Sequence, residues 1–120
     1  MRSLVTVTAI LVALVLLSNC ATTSRTSVRS DVVSVSGTAW AGTDSEGDYY
    51  EYYFMSDGSL HYKSPTGFWE NGSWKQDGST IYMETNNRYT ERIGTIRGDI
   101  MEGNAWNVKG RRWTWSAKKQ

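Results

Sequence analysis

Turn-forming residues recur at short intervals through the C-terminal two thirds of the chain, at Ser56-Asp57-Gly58, Pro65-Thr66-Gly67, Asn71-Gly72, Asp77-Gly78, Asn86-Asn87, Gly98-Asp99 and Lys109-Gly110. These residue types supply a positive or fixed φ, or cap their own backbone, and so close tight turns. No segment between them is long enough for a helix with apolar residues spaced at three and four, so the segments read as strands. About eight are expected: Ser34 to Ala41, Tyr49 to Met55, Ser59 to Lys63, Phe68 to Glu70 extending with Gly72 to Gln76, Thr80 to Thr85, Tyr89 to Arg97, Ile100 to Val108, and Arg111 to Lys118. A parallel crossover needs about a dozen residues or more, so connections this short join antiparallel neighbours in an up-and-down meander.

Several strands alternate. Ile81 and Met83 oppose Tyr82 and Glu84, and Trp113, Trp115 and Ala117 oppose Arg112, Thr114 and Ser116. One face is therefore buried and the other wet. The expected fold is all-β, either a small up-and-down antiparallel barrel, which removes its own edges, or a curled sheet that does not quite close.

The first part of the chain has a different composition. Arg2 precedes an uncharged apolar run from Leu4 to Leu17, the arrangement of a secretory signal. At 1.5 Å per residue such a run spans roughly 21 Å as a helix, short of the ~30 Å hydrocarbon core of a bilayer. Residues 21 to 31, ATTSRTSVRSD, have neither period and read as a flexible spacer. The expected organisation is a signal over residues 1–19, a tether over 20–32 and one β-domain over 33–120.

Leu17-Ser18-Asn19-Cys20 resembles the lipobox of bacterial lipoproteins, with Asn19 where that pattern has a smaller residue. The resemblance implies a diacylglyceryl group on the Cys20 sulfur, cleavage before it, and membrane attachment through two or three acyl chains, each CH₂ contributing about 0.8 kcal/mol. Ala21 is not the aspartate that commonly retains lipoproteins in the inner membrane, so in a Gram-negative host the outer membrane is favoured. Gly37-Thr38-Ala39-Trp40-Ala41-Gly42 near the start of the domain, with Gly103 to Trp115 near its end, is similar to the lipocalin and avidin-like barrels, and to small bacterial lipoproteins with a lipocalin-like domain and no assigned activity. That likeness implies a barrel but carries over no ligand-contacting residue.

Lys and Arg total 13 against 12 Asp and Glu, and without Arg2 the two signs balance, so a nucleic-acid partner is not expected. A single cysteine excludes an internal disulfide and a thiolate zinc site. His61, the only histidine, faces away from Leu60 and Tyr62 with neither nucleophile nor orienting acid signalled. Asp44, Glu46, Asp48 and Glu51 are explained as turn and strand-surface acids, and the first three lack the pattern of a calcium loop. No cofactor, metal or catalytic residue is expected, and an enzyme is disfavoured.

The aromatic content is unusual: six Trp, seven Tyr and two Phe. Tyr50, Tyr52 and Phe54 share one strand face, with Tyr49 and Tyr53 on the other. Trp40, Tyr50, Tyr52, Phe54, Trp74, Trp106, Trp113 and Trp115 are the candidates for core or pocket walls, with Trp106 and Val108 expected on the same inner face as Trp113 and Trp115. The expected function is non-enzymatic binding of a small apolar or amphipathic ligand, or of a partner protein, close to a membrane. The alternative is a structural or inhibitor-type protein with a filled core acting through its rim loops, as the small lipoprotein inhibitors of lysozyme do, though it lacks their cysteines.

Overall fold

The computed structural model describes residues 32–120. The signal, Cys20 and the tether up to residue 31 lie outside the described residues. Eight strands follow in order: β1 (Thr38–Thr43), β2 (Tyr49–Phe54), β3 (Ser59–Ser64), β4 (Gly67–Asp77), β5 (Thr80–Thr85), β6 (Thr90–Arg97), β7 (Ile100–Asn107) and β8 (Arg112–Lys119). Each pairs antiparallel with the next and β8 returns to β1, so the sheet is a closed barrel rather than a curled one. Closure rests on a short seam, Trp40 opposite Lys119 and Ala41 opposite Lys118.

An eight-stranded barrel is just wide enough for side chains to fill it. Trp40, Tyr52, Phe54, Leu60, Ile81, Met83, Met101 and Trp115 all lie buried inside. Burying a side chain of this size contributes about 1.5 to 3 kcal/mol. Along β7 and β8 each inward-facing pair sets a large residue beside a small one: Met101 opposite Ala117, Gly103 opposite Trp115, Ala105 opposite Trp113. Gly94 and Gly103 face each other across β6 and β7, and an added Cβ on Gly94 would stand 2.6 Å from the Trp115 ring. The Trp115 indole occupies the space that the missing side chain of Gly94 leaves, while the backbone of β6 at Ile93 and Gly94 closes onto Gly103.

The two ends of the barrel differ. At one, loops 55–58, 78–79 and 98–99 meet the chain's arrival at residue 32 and its departure at Gln120. There the first strand begins later than expected, at Thr38 rather than Ser34, because Val35 turns inward and plugs the barrel. Val35 is buried in the core, its amide donates to Gln76 Oε1 at 2.9 Å, and Gln76 Nε2 donates back to Val33 O at 3.2 Å. The opposite end is built only of hairpin loops, 44–48, 65–66, 86–89 and 108–111.

Two expectations are corrected. Asn71-Gly72 is not a turn but part of a bulge within the single eleven-residue strand β4, where the register against β3 shifts between Leu60 and Tyr62. Gly72 serves close approach instead: a Cβ there would stand 2.7 Å from Glu84 O and 2.8 Å from Leu60 O. Trp106 is not on the inner face. It alternates with buried Ala105, opposes Glu91 and Arg112 on the outside, and its Nε1 donates to Glu91 Oε2 at 2.8 Å. Val108 lies exposed in the following turn.

Candidate functional site: a buried arginine beneath the open mouth

Strand β6 alternates Thr90, Arg92, Gly94 and Ile96 inward, which places an arginine inside the barrel near the hairpin-loop end. Arg92 is 1% exposed and is among the largest fully buried side chains. Its guanidinium carbon lies 4.8 Å from the ring centre of Tyr50, 5.6 Å from that of Tyr52 and 6.0 Å from that of Trp113. Rings at such distances offer a cation their negative faces, a desolvated contact of about 2 kcal/mol at best. Hydrogen bonding is far from complete. Nη1 donates to Thr85 Oγ1 at 3.1 Å, while the buried Nε has no acceptor among the described residues. The Trp113 indole Nε1, also buried, has none either.

No carboxylate among the described residues forms an ion pair with Arg92. Two of the three acids of the β1–β2 hairpin are engaged elsewhere: Asp44 Oδ1 accepts from the amides of Glu46 and Asp48, both at 3.0 Å, and Glu46 pairs with Arg111 at 2.6 Å; Asp48 reaches this cluster only through space, its charge helping to raise Tyr50. Nor can the neighbouring phenols supply the counter-charge at neutral pH. Burial pushes Tyr52 up to about 12 against the pull of Arg92, and burial likewise raises Tyr50. An uncompensated charge in a low-dielectric interior costs several kcal/mol, and an unmade hydrogen bond there adds about 1 to 3 kcal/mol.

Above Arg92 the barrel opens into a cup of about 300 Å³ lined by Tyr50, Tyr62, Trp69, Thr85, Tyr89 and Thr90, among others. Thr85 and Tyr50 belong to both: they line the cup and they touch the guanidinium. The rim is held in a costly conformation. Asn86, Asn87 and Arg88 all have positive φ, 53°, 52° and 69°. Asparagine tolerates that region, whereas arginine does so at a cost of roughly 1 to 2 kcal/mol. Hydrogen bonds hold the loop there. The Asn86 amide donates to Tyr62 Oη at 3.1 Å and to Asn71 Oδ1 at 3.2 Å, Tyr62 Oη donates to Asn71 Oδ1 at 2.5 Å, and Arg88 Nε donates to Glu84 Oε2 at 2.9 Å. The bulge at Asn71 thus turns a side chain inward to brace the mouth.

Besides a shallow hollow of about 330 Å³ beside Trp74, Gln76 and Gly78, two larger depressions lack a comparable buried group. One, about 600 Å³, is a polar surface groove between Asp44, Ser45 and the outer faces of β6 to β8. The other, about 450 Å³, lies at the plugged end against residues 32–35, Ile96 and Lys119.

Of the expected aromatics, Tyr50, Tyr52 and Trp113 gather around Arg92. Trp115 meets Tyr52 edge-on at 6.0 Å deeper in the barrel. Phe54 and Trp74 meet edge-on at 5.6 Å at the plugged end, where Trp40 Nε1 donates to Thr38 Oγ1 at 2.9 Å. His61 lies on the outer face, 4.0 Å from Glu70 and edge-on to Phe68. Sequence reasoning missed Arg92, Tyr62, Trp69, Thr85, Tyr89 and Thr90. Compared with protein families, curated proteins and solved structures, the chain has no match.

Proposed function

We propose that the protein is a non-enzymatic, lipid-anchored component of the cell envelope that binds a small amphipathic ligand in the cup at the hairpin-loop end of its barrel. One observation supports this above the others: the interior is filled from Val35 through Trp115, yet at the mouth it gives way to a cup of about 300 Å³ walled by tyrosine and tryptophan. That volume lies at the small end of ligand pockets, which combine aromatic walls with a few polar groups. The anchor follows from Cys20 at the end of the apolar run. A second reading, a rim that grips a partner protein, draws support from Phe68 and Trp69, 55% and 42% exposed beside the mouth.

Hexanol and hexanoate, six-carbon amphiphiles that suit a cup this small, test the first reading by NMR titration. Saturable shifts of the Asn86, Tyr89 and Thr90 amides with at least one probe are expected. Shifts that fail to saturate, or that spread over the outer face with both probes, overturn the reading.

A further inference from the structure

Arg92 donates to Thr85 Oγ1 and lies against the Tyr50 and Tyr52 phenols, yet its buried Nε has no acceptor and no acid among the described residues is ion-paired with it; Thr85 and Tyr50, which touch it, are also in the wall of a cup that opens to solvent. Trp113, whose ring centre is 6.0 Å from the guanidinium carbon, brings a second unpaired buried N–H donor. Two explanations compete for such a cation. It is a stacked core residue, held by the faces of Tyr50, Tyr52 and Trp113, or it is half of an ion pair whose other half comes from outside the chain. Stacking accounts for the flat contacts. It leaves Nε and the indole N–H unexplained, because a ring face satisfies neither donor in its own plane, and buried donors without acceptors are rare in native proteins.

We infer that Arg92 and Trp113 form an anion site for a single carboxylate, the head group of an amphiphile that enters the cup head first. This deepens the proposed function and rests on it. The match is one of charge and of hydrogen-bonding capacity. A carboxylate brings one negative charge to one buried positive charge, and two acceptor oxygens to two buried donors that lack acceptors. A phosphate dianion would leave a net negative charge buried among rings, which is no better than the present net positive one. Thr85 Oγ1 keeps its bond from Nη1, while the carboxylate passes Thr85 and Tyr50 to accept from the Nε edge of Arg92 and from the Trp113 indole. Its apolar tail then lies between Tyr50, Tyr62, Trp69 and Tyr89, which line the cup above.

The Arg92 Nε–H and Trp113 Nε1–H resonances of the whole protein, labelled with nitrogen-15, give a direct readout. Hexanoate, hexanol and inorganic phosphate are titrated in parallel. The site predicts that hexanoate moves both resonances, that hexanol binds at least about tenfold more weakly and leaves them in place, and that phosphate moves neither; the factor is that of one charge-assisted hydrogen bond. In Arg92→Met the preference for hexanoate over hexanol disappears, while the melting temperature without ligand stays level or rises, since an unpaired buried charge has been removed. Arg92→Lys, which keeps the charge and loses the fork, retains part of the preference.

Equal binding of hexanoate and hexanol in the cup, with Arg92 Nε–H unmoved, overturns the anion site and leaves the ligand cup standing. Binding of neither amphiphile at the cup overturns both. Phosphate moving the two resonances while hexanoate does not overturns the carboxylate assignment. An Arg92→Met protein that melts lower and still prefers hexanoate identifies Arg92 as a stacked structural residue.

Discussion

Tyr52 and Arg92 set the chemistry of the interior from adjacent positions, and the phenol offers the plainer test. In the folded protein Tyr52 titrates near about 12, raised from an ordinary value near 10 mainly by burial. Since folding raises this pKa, the neutral phenol's contribution is fully present below about pH 10 and is lost as pH rises through 12. Two units correspond to about 2 to 3 kcal/mol. Urea midpoints are expected to fall between pH 9 and pH 11.5, with Tyr52→Phe flattening part of that fall, since burial raises Tyr82 and Tyr50 as well; an unaltered slope in the variant rejects the assignment. The inward face of Tyr50, Tyr52 and Phe54 was legible from simple alternation. Arg92 was not, for a definite reason: Ile93 and Ile96 lie an odd number of residues apart, so hydrophobicity gives β6 no phase. The phase is set by Gly94 opposite Gly103 beneath the Trp115 ring, a fact about neighbouring strands.

Strand β6 takes its place in the barrel through that same glycine pair. A methyl group at Gly94 would meet the Trp115 ring at 2.6 Å and Glu102 O at 2.7 Å, and the second of these is backbone that cannot swing aside. Gly94→Ala is therefore expected to destabilise the protein by about 1 to 3 kcal/mol through overpacking. For a domain of this size each kcal/mol lowers the melting temperature by roughly 4 to 8 °C. A thermal melt decides it, and an unchanged midpoint would mean that Trp115 is less tightly seated than its contacts indicate. The misplacement of Trp106 has the same origin as the missed arginine. Strand faces follow a period of two, so one residue of uncertainty about the turn after Asn107 moves every side chain to the other face. Pairing by size resolves it, since Gly103 and Ala105 are the residues that make room for Trp115 and Trp113. At Asn71-Gly72 the sequence showed a break but not its kind, because a bulge and a turn use the same residues.

Fold class was readable from the chain because a meander is written locally: every strand but the first and last pairs with its immediate neighbours in sequence. Closure was favoured because it leaves no exposed edge, but its seam was not readable, since it consists of two residue pairs between β1 and β8 that no local pattern announces. The proposed placement in the envelope rests on Cys20. In a host with the lipoprotein pathway, Cys20→Ser is expected to abolish labelling by a fatty-acid probe and to release the protein from the membrane fraction, while equal labelling of variant and wild type rejects the anchor.

An even number of strands returns the chain to the rim from which it set out, and Gln120 ends there hydrogen-bonded to Ala39 O at 2.9 Å. One rim thereby carries residue 32, Gln120 and the Val35 plug, and the other carries none of them. Doubling the length of a hairpin loop costs only about 0.6 kcal/mol in closure entropy. Loops 44–48 and 108–111 can lengthen or change without touching the seam between β1 and β8, whereas loop 86–89 is tied to Tyr62, Asn71 and Glu84. What the molecule recognises can drift while what it is made of stays fixed.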